Sequence, residues 1–294
     1  MKFAGQHVMV LGLARSGLAA VELLRREGAR VRAVDSRGCE EIAKLAPLLE
    51  RGVIDFVPQI AATLEKIDFV VTSPGVPLSN PLLEEASRKG IPILGELELA
   101  SRFLLGPEMA ITGSNGKTTT TAMTGHILHV AGVKAQVGGN IGLPVTELIA
   151  SSQAGQWNVL EVSSFQLETV SEFHAQIASV LNLSPNHLDR HGDLATYAAA
   201  KRNVFRNQTA QDFAVLNAAN EMSAAYASAT PAKILYFNGA DAAVEGDEIV
   251  FRSERLMKIS ETPLRGRHNW ENIMAAALLS SLAGADREAI AEGV

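Results

Sequence analysis

The stretch from Met109 to Thr119 restricts this chain more than any other. A short apolar run, Met109 to Thr112, enters Gly113-Ser114-Asn115-Gly116-Lys117-Thr118-Thr119, and a helix-compatible run from Lys117 to Ala131 stops at Gly132. Strand, glycine-bounded turn and helix in that order make a phosphate-binding loop. The glycines let backbone N–H groups converge on phosphate oxygens. The helix start adds its positive end, Lys117 a point charge, and Thr118 a hydroxyl suited to Mg²⁺. The pattern is the short G-x-x-G-K-T form, because Ile111 stands where the longer motif has its first glycine. A plain strand–turn–helix corner with a surface lysine is the alternative, and it leaves the Gly-Lys-Thr run unexplained.

A chain of 294 residues predicts two domains, each able to bury a core. The net charge of −6 argues against broad nucleic-acid binding. One cysteine, Cys39, excludes an intrachain disulfide and a cysteine zinc cluster. No apolar run approaches about 18 residues and no charged-then-apolar leader is present, so no membrane contact and a cytoplasmic protein are expected. A monomer is the expected state, though nothing in the sequence fixes it.

Strand and helix signals alternate along the first third. Val8–Leu11, Val31–Val34, Phe69–Thr72 and Ile91–Leu94 read as strands, and Leu18–Glu27 as a helix stopped by Gly28. Such apolar runs between helices predict parallel strands buried on both faces. The fold class is therefore α/β, with a Rossmann-like parallel-sheet domain over 1–96 and a P-loop ATPase-like central α/β domain over 97–294. In the second region the strands are expected at Met109–Thr112, Lys134–Val137, Val159–Val162, Ile177–Leu181, Phe213–Leu216 and Ile234–Phe237. Helices are expected at Glu96–Pro107, Lys117–Ala131, Leu194–Asn207 and Ile273–Leu282. Glu248–Phe251 and Leu256–Ile259 flank a hairpin turn.

Four further constellations carry chemistry. Gly12-Leu13-Ala14-Arg15-Ser16-Gly17 approximates the dinucleotide fingerprint with Ala14 at the middle glycine, and Asp35 ends the next strand where a ribose-binding acid would lie. A tight turn before a packed helix is the plain reading. Glu161, delivered by Val159–Val162 ahead of Ser163, can hold the Mg²⁺ of a phosphate-loop enzyme or cap a helix. Asn186-His187-Leu188-Asp189-Arg190-His191 lies at a strand end. Its two histidines suggest zinc, but the segment lacks a helical frame and a third ligand, so a single histidine beside Mg²⁺ fits better. Asn269 and Asn272 can read an adenine edge or cap the Ala-rich helix that follows. Lys201 on its own reads as a solvated helix lysine, and His126 and His129 as packing or surface residues.

Together these motifs resemble the Mur ligase family of peptidoglycan synthesis. The resemblance rests on Gly113–Thr119, Gly138–Gly142, Glu161–Gln166, Asn186–Arg190, Lys201 and Gly266–Asn272, in the family's order and across most of the chain. Gly12…Ser16-Gly17 with Ser73-Pro74-Gly75 favours the member that adds D-glutamate to UDP-N-acetylmuramoyl-L-alanine. The resemblance implies an ADP-forming ligase working through an acyl phosphate. Lys117, His187 and Lys201 would be catalytic. Gly113, Ser114, Asn115, Gly116, Lys117, Thr118 and Thr119 would hold ATP, with Asn269 and Asn272 on adenine. Thr118 and Glu161 would serve one Mg²⁺, and His187 with Lys201, as a carbamate, a second. Leu13, Ala14, Arg15, Asp35, Ser36, Arg37, Gly75, Asn140 and Ser163 would line the UDP-sugar site.

The resemblance also implies a third, amino-acid-binding domain after residue 294, so the chain is expected to be a fragment that binds the UDP-sugar but does not ligate. The alternatives are the L-alanine-adding sibling, whose phosphate loop carries His where Asn115 stands, and a folylpolyglutamate-type ligase. An NAD-dependent oxidoreductase would leave Lys117, Glu161 and His187 unexplained. A non-catalytic nucleotide-binding regulator is the remaining reading.

Overall fold

The structure, a computed structural model, describes residues 1–42, 45, 48–49 and 54–294. The chain forms two compact units. One comprises Met1–Phe103 with Pro144–Ile149 and Glu168–Val170, and the other Leu104–Leu143, Ala150–Leu167 and Ser171–Val294.

The first unit is built on a parallel sheet of β1 (His7–Leu11), β2 (Arg30–Asp35), β3 (Ile54–Pro58), β4 (Phe69–Thr72) and β5 (Ile93–Gly95), in the order β3-β2-β1-β4-β5. Side chains alternate across a strand. Val8 and Val10 join a core on one face with Val31, Ala33 and Val71, while Met9 and Leu11 join Val34 and Val70 on the other. That is why β1 reads as an unbroken apolar run. The helix Arg15–Arg26 buries Gly17, Ala20, Val21, Leu23 and Leu24, one face at helical spacing.

Two elements here were not legible. β3 carries the mixed run Ile54-Asp55-Phe56-Val57-Pro58 and pairs at the sheet edge, where alternation is weak. The helix Pro81–Arg88 announces itself only by its start. Pro81 sits in the first turn, and the Asn80 side chain accepts from the Leu82 N–H at 3.0 Å.

The second unit holds a larger sheet of β6 (Glu108–Thr112), β7 (Ala135–Gly139), β8 (Trp157–Glu161), β9 (Ile177–Val180), β10 (Phe213–Asn217), β11 (Lys233–Phe237), β12 (Ala242–Glu245), β13 (Glu248–Phe251) and β14 (Glu254–Lys258). Their order is β14-β13-β12-β11-β10-β9-β6-β8-β7. β6 lies between β8 and β9, both parallel to it. The chain thus leaves β6 toward one side and returns on the other, a switch point whose carboxyl ends open a crevice. The helix Lys117–Val130 packs its Ile127 and Leu128 into the core with Ile273 to Leu279 of the helix Arg267–Leu282. The latter is buried over that whole stretch, as expected of a helix that is apolar all round.

The hairpin is present as β13 and β14. Its two-residue turn puts Arg252 at φ +49° and Ser253 at +65°, left-handed at both positions as two-residue hairpins require. β12 joins β11 through the single pair Phe237–Ala242, which is why it left no clear trace in the sequence. The helices expected at Glu96–Pro107 and Leu194–Asn207 stop at Ser101 and Arg202, the second tightening to 3₁₀ over Asn203–Phe205.

Gly17 is required by space. A Cβ there would overlap the carbonyl oxygen of Gly12, whose own φ is +86°. Gly17→Ala should therefore destabilise the first unit by about 1–3 kcal/mol, the usual cost of forced overpacking. Urea unfolding measures it, and an unchanged midpoint would contradict the packing described.

Candidate active site

β6 ends at Thr112, and the phosphate loop turns on Gly113 and Gly116 (φ +155° and +81°). A Cβ on Gly116 would overlap Oδ1 of Asn272. Here glycine answers both a left-handed backbone and a close approach. No side chain caps the start of the helix Lys117–Val130, so its first N–H groups stay open to a ligand.

The loop is strapped to the end of β9. The Ser114 N–H donates to the Asn182 carbonyl at 2.9 Å, and the Asn115 N–H to Asn182 Oδ1 at 2.9 Å. Ser114 Oγ donates to the Ser184 carbonyl at 3.0 Å, accepts from the Ser184 N–H at 3.0 Å and lies 3.1 Å from the Tyr197 hydroxyl. Lys117 Nζ folds back and donates to the carbonyls of Gly113 and Ser114, each at 3.0 Å.

β8 brings in Glu161, 1% exposed. Its Oε2 accepts from Thr118 Oγ1 at 2.8 Å and its Oε1 from Asn140 Nδ2 at 2.8 Å. The Asn140 N–H donates to the Glu161 carbonyl at 2.8 Å, so the loop after β7 is held along the same residue. Thr118 and Asn140 are exposed. The arrangement is a buried carboxylate linking two exposed polar side chains beside a phosphate loop. Such hard oxygen donors suit Mg²⁺, which keeps several waters and asks few ligands of the protein. Among the described residues no group of three or more His, Cys, Asp and Glu side chains is placed to hold a metal.

Lys201 is not the solvated lysine its helix suggested. It is 1% exposed, donates to Thr112 Oγ1 at 3.1 Å and lies 4.7 Å from the centre of the Tyr197 ring. Burial, reinforced by the charge of Lys117 and opposed by Glu161, lowers its ammonium from 10.5 to about 7. Burial also lowers Lys117, again against Glu161. His187 is exposed, with φ +53°, its ring 5.1 Å from Phe165 and 6.5 Å from Tyr197. His187 and Lys201 therefore flank one tyrosine. The segment expected to lack a helical frame forms a helical turn over Leu188–His191 with His187 at its start. His191 is buried against Ser164 Oγ at 2.9 Å and stacks on Phe165, a structural place.

Asn272 is buried and braces the loop. Its Oδ1 accepts from Thr120 Oγ1 at 3.3 Å, and its Nδ2 donates to Asn269 Oδ1 at 3.4 Å. Asn269 donates onward to the Arg265 carbonyl at 2.8 Å. One turn along the same helix, Arg267, Trp270, Glu271 and Met274 line a cavity of about 390 Å³ with Ala219, Asn238, Ala243 and Val244. His126 and His129 are exposed, as the sequence suggested. Ser163 is half-buried, its N–H donating to Gln166 Oε1 at 2.9 Å.

The first unit carries its own polar turn. Leu13 is buried, Ala14 and Arg15 are exposed, and the helix Arg15–Arg26 has no side-chain cap. Asp35 was expected to face a ligand. The residue is 5% exposed, and its carboxylate is engaged within the protein, Oδ2 by the Leu13 N–H at 2.6 Å and both oxygens by the Arg37 guanidinium at 2.9 and 3.0 Å. Burial pulls Asp35 upward, but the hydrogen bonds from Arg37 and Leu13 prevail and lower it to about 2. Asp35 thus fixes the Gly12–Gly17 turn to the end of β2. Ser36 and Gly75 stay exposed beside it.

Ser114, Tyr197, Asn182 and the Asn140–Glu161 link carry more of this geometry than the motifs alone conveyed. The one signal available was Tyr197 four residues before Lys201, on the same helical face.

Comparisons with known proteins bear on the family and the fold. Residues 6–95 match the family model for the Mur ligase MurD-like N-terminal domain, and 111–280 that for the Mur ligase middle domain. The chain is 48% identical to a UDP-N-acetylmuramoylalanine–D-glutamate ligase of Solibacter usitatus, with all of the chain and 67% of the relative covered. It is 45% identical to the protein of the same name from Acidobacterium capsulatum, with the same shares covered. Among solved structures, it resembles a UDP-N-acetylmuramate:L-alanyl-γ-D-glutamyl-meso-diaminopimelate ligase of Neisseria meningitides (TM-score 0.66, 19% identity, 99% and 97% of the two chains). It also resembles a UDP-N-acetylmuramate-alanine ligase of Thermotoga maritima (TM-score 0.58, 22% identity, 98% and 67%). At these identities the solved structures support the fold. No helix among the described residues is long and apolar enough to cross a membrane.

The lowered value at Lys201 has a consequence for stability. Below about pH 7 the folded chain carries an ammonium it disfavours, and above the ordinary lysine value near 10.5 that penalty is gone. Stability through this group therefore rises with pH between those limits. Lys201→Met should stabilise the chain by on the order of a few kcal/mol below about pH 7, a gain that shrinks toward pH 10.5. Urea unfolding in carbon-dioxide-free buffer at several pH values checks this. A gain independent of pH would refute it.

Proposed function

The chain belongs to the Mur ligase family, and we propose that it serves the ATP-dependent addition of D-glutamate to UDP-N-acetylmuramoyl-L-alanine. The observation that carries this reading is the buried Glu161 bridging Thr118 and Asn140 directly beside the Lys117 loop. That group joins the ATP end of the reaction to a side chain able to touch the acceptor. The names of the relatives at 45–48% identity select D-glutamate as the amine.

A carboxylate resists amide formation because its leaving group would be oxide. In the proposed reaction a carboxylate oxygen of the L-alanyl terminus attacks the γ-phosphorus of ATP, and the bond to ADP breaks. The amine of D-glutamate then attacks the acyl carbon, loses a proton, and inorganic phosphate departs. The work left to the protein is alignment and neutralisation of charge. Gly113 to Thr119 would cradle the phosphates, with Lys117 turning from the loop carbonyls onto phosphate oxygens. Thr118 and Glu161 would hold a Mg²⁺ that neutralises phosphate charge. Asn269 and Asn272 would lie on the adenine side. Asn140 and Ser163 would position the acceptor.

His187 and Lys201 are proposed as holders of a second metal ion, with Lys201 as a carbamate. The lowered ammonium supports this, since a neutral amine is the form that takes up carbon dioxide. Leu13, Ala14, Arg15, Ser36, Arg37 and Gly75 are assigned to the UDP portion. Asp35 is assigned there too, and it also holds their turn in shape.

Two titrations test the reading. Lys117→Ala should weaken a nonhydrolysable ATP analogue with Mg²⁺ by about tenfold to a hundredfold, the range for losing charge-assisted hydrogen bonds. UDP-N-acetylmuramoyl-L-alanine should bind more tightly than UDP-N-acetylmuramate or the tripeptide-stage nucleotide. Calorimetry that finds equal affinities in both comparisons would overturn the assignment.

A further inference from the structure

The segment Pro144–Ile149 belongs to the first unit although it follows β7 in the chain. It forms the single helical turn Val145–Leu148, locked in place from below. Glu96, 1% exposed on the helix Glu96–Ser101, accepts at Oε1 from the Thr146 N–H at 2.7 Å and from Thr146 Oγ1 at 2.8 Å. The next residue, Glu147, is thereby set on the surface facing Arg15. Its Oε1 lies 3.5 Å from Arg15 Nε and its Oε2 3.5 Å from the guanidinium Nη2. The pair is open to solvent, the two side chains 57% and 38% exposed.

Arg15 opens the helix that starts the Gly12–Gly17 turn. A cation there is disfavoured by the positive end of the helix, whose first turn holds no acidic residue of its own. An anion is what this place favours, and Glu147 brings a carboxylate to it from elsewhere in the chain.

We propose that Glu147 is a resident counter-ion of the nucleotide site, a carboxylate that holds Arg15 until the diphosphate of the UDP ligand displaces it. Glu147 thus sets the affinity of the site for the diphosphate, and Glu96 is the positioning residue that fixes where it stands. The inference rests on the assignment of the Gly12–Gly17 turn to the UDP portion. Displacement costs the Arg15–Glu147 attraction and adds repulsion between carboxylate and diphosphate. Both costs vanish when Glu147 loses its charge. An exposed pair of this kind is weak and screened by salt, so the effect is modest and ionic-strength dependent.

Calorimetric titration of Glu147→Gln and Glu147→Ala with UDP and with uridine tests this, thermal melting confirming that both variants are folded. UDP should bind about two- to fivefold more tightly to either variant than to the unaltered chain, and uridine with unchanged affinity. The gain for UDP should shrink as salt rises from about 0.05 to 0.5 M. Equal changes for the two ligands, or a gain insensitive to salt, would show a merely structural effect and overturn the proposal. No gain at all would overturn it as well. Failure of the unaltered chain to bind UDP is a separate result, which removes the nucleotide assignment itself and this inference with it.

Discussion

Two lysines and one carboxylate share the carboxyl end of β6 with little water to screen them, and the second unit is organised around that imbalance. Lys201 and Glu161 are each 1% exposed, and Lys117 is half-buried. Burial lowers both ammonium groups, the charge of Lys117 lowers Lys201 further, and Glu161 offsets only part of it. A charge such as that of Lys117 interacts more strongly in a poorly solvated crevice than in open water. Lys117 answers the imbalance provisionally by donating to the carbonyls of Gly113 and Ser114.

Strand order makes this concentration of charge possible. β8 and β9 flank β6 on opposite sides, so Glu161, Thr112 and Asn182 come to one edge although 70 residues separate the first and last of the strand ends involved, Thr112 and Asn182. The loop itself has little freedom. Its amides at Ser114 and Asn115 are held by Asn182, its hydroxyl by Ser184, and its glycine at 116 by the bulk of Asn272. Preorganised N–H groups lose little entropy when a phosphate arrives, and that is the physical sense in which the loop is built before its ligand.

The first unit solves a similar problem with opposite means. Its turn is stabilised by an acid, Asp35, whose negative charge is consumed by Arg37 and the Leu13 amide. A second acid, Glu96, is buried and pushed upward by burial despite its bonds to Thr146. Both carboxylates act as internal fasteners. Arg15 and the start of its helix lie at the surface, with Glu147 opposite.

Periodicity and glycine placement in the sequence determined the alternation of strands and helices, the hairpin around Arg252-Ser253, and the strand–turn–helix corner at Gly113–Lys117. These depend on local rules, namely side-chain alternation, left-handed backbone at glycine and helix starts, that hold whatever the rest of the chain does. Edge strands such as β3, the single-pair junction of β12, and the true ends of the helices at Ser101 and Arg202 depended on packing partners distant in sequence. The same division runs through the site. Lys117, Thr118 and Glu161 stand out by motif, and the last two do meet. The burial of Lys201, the engagement of Asp35, the bracing by Asn272 and the meeting of Arg15 with Glu147 were decided only by tertiary structure. Burial and charge environment are properties of what surrounds a side chain, and no local pattern records them.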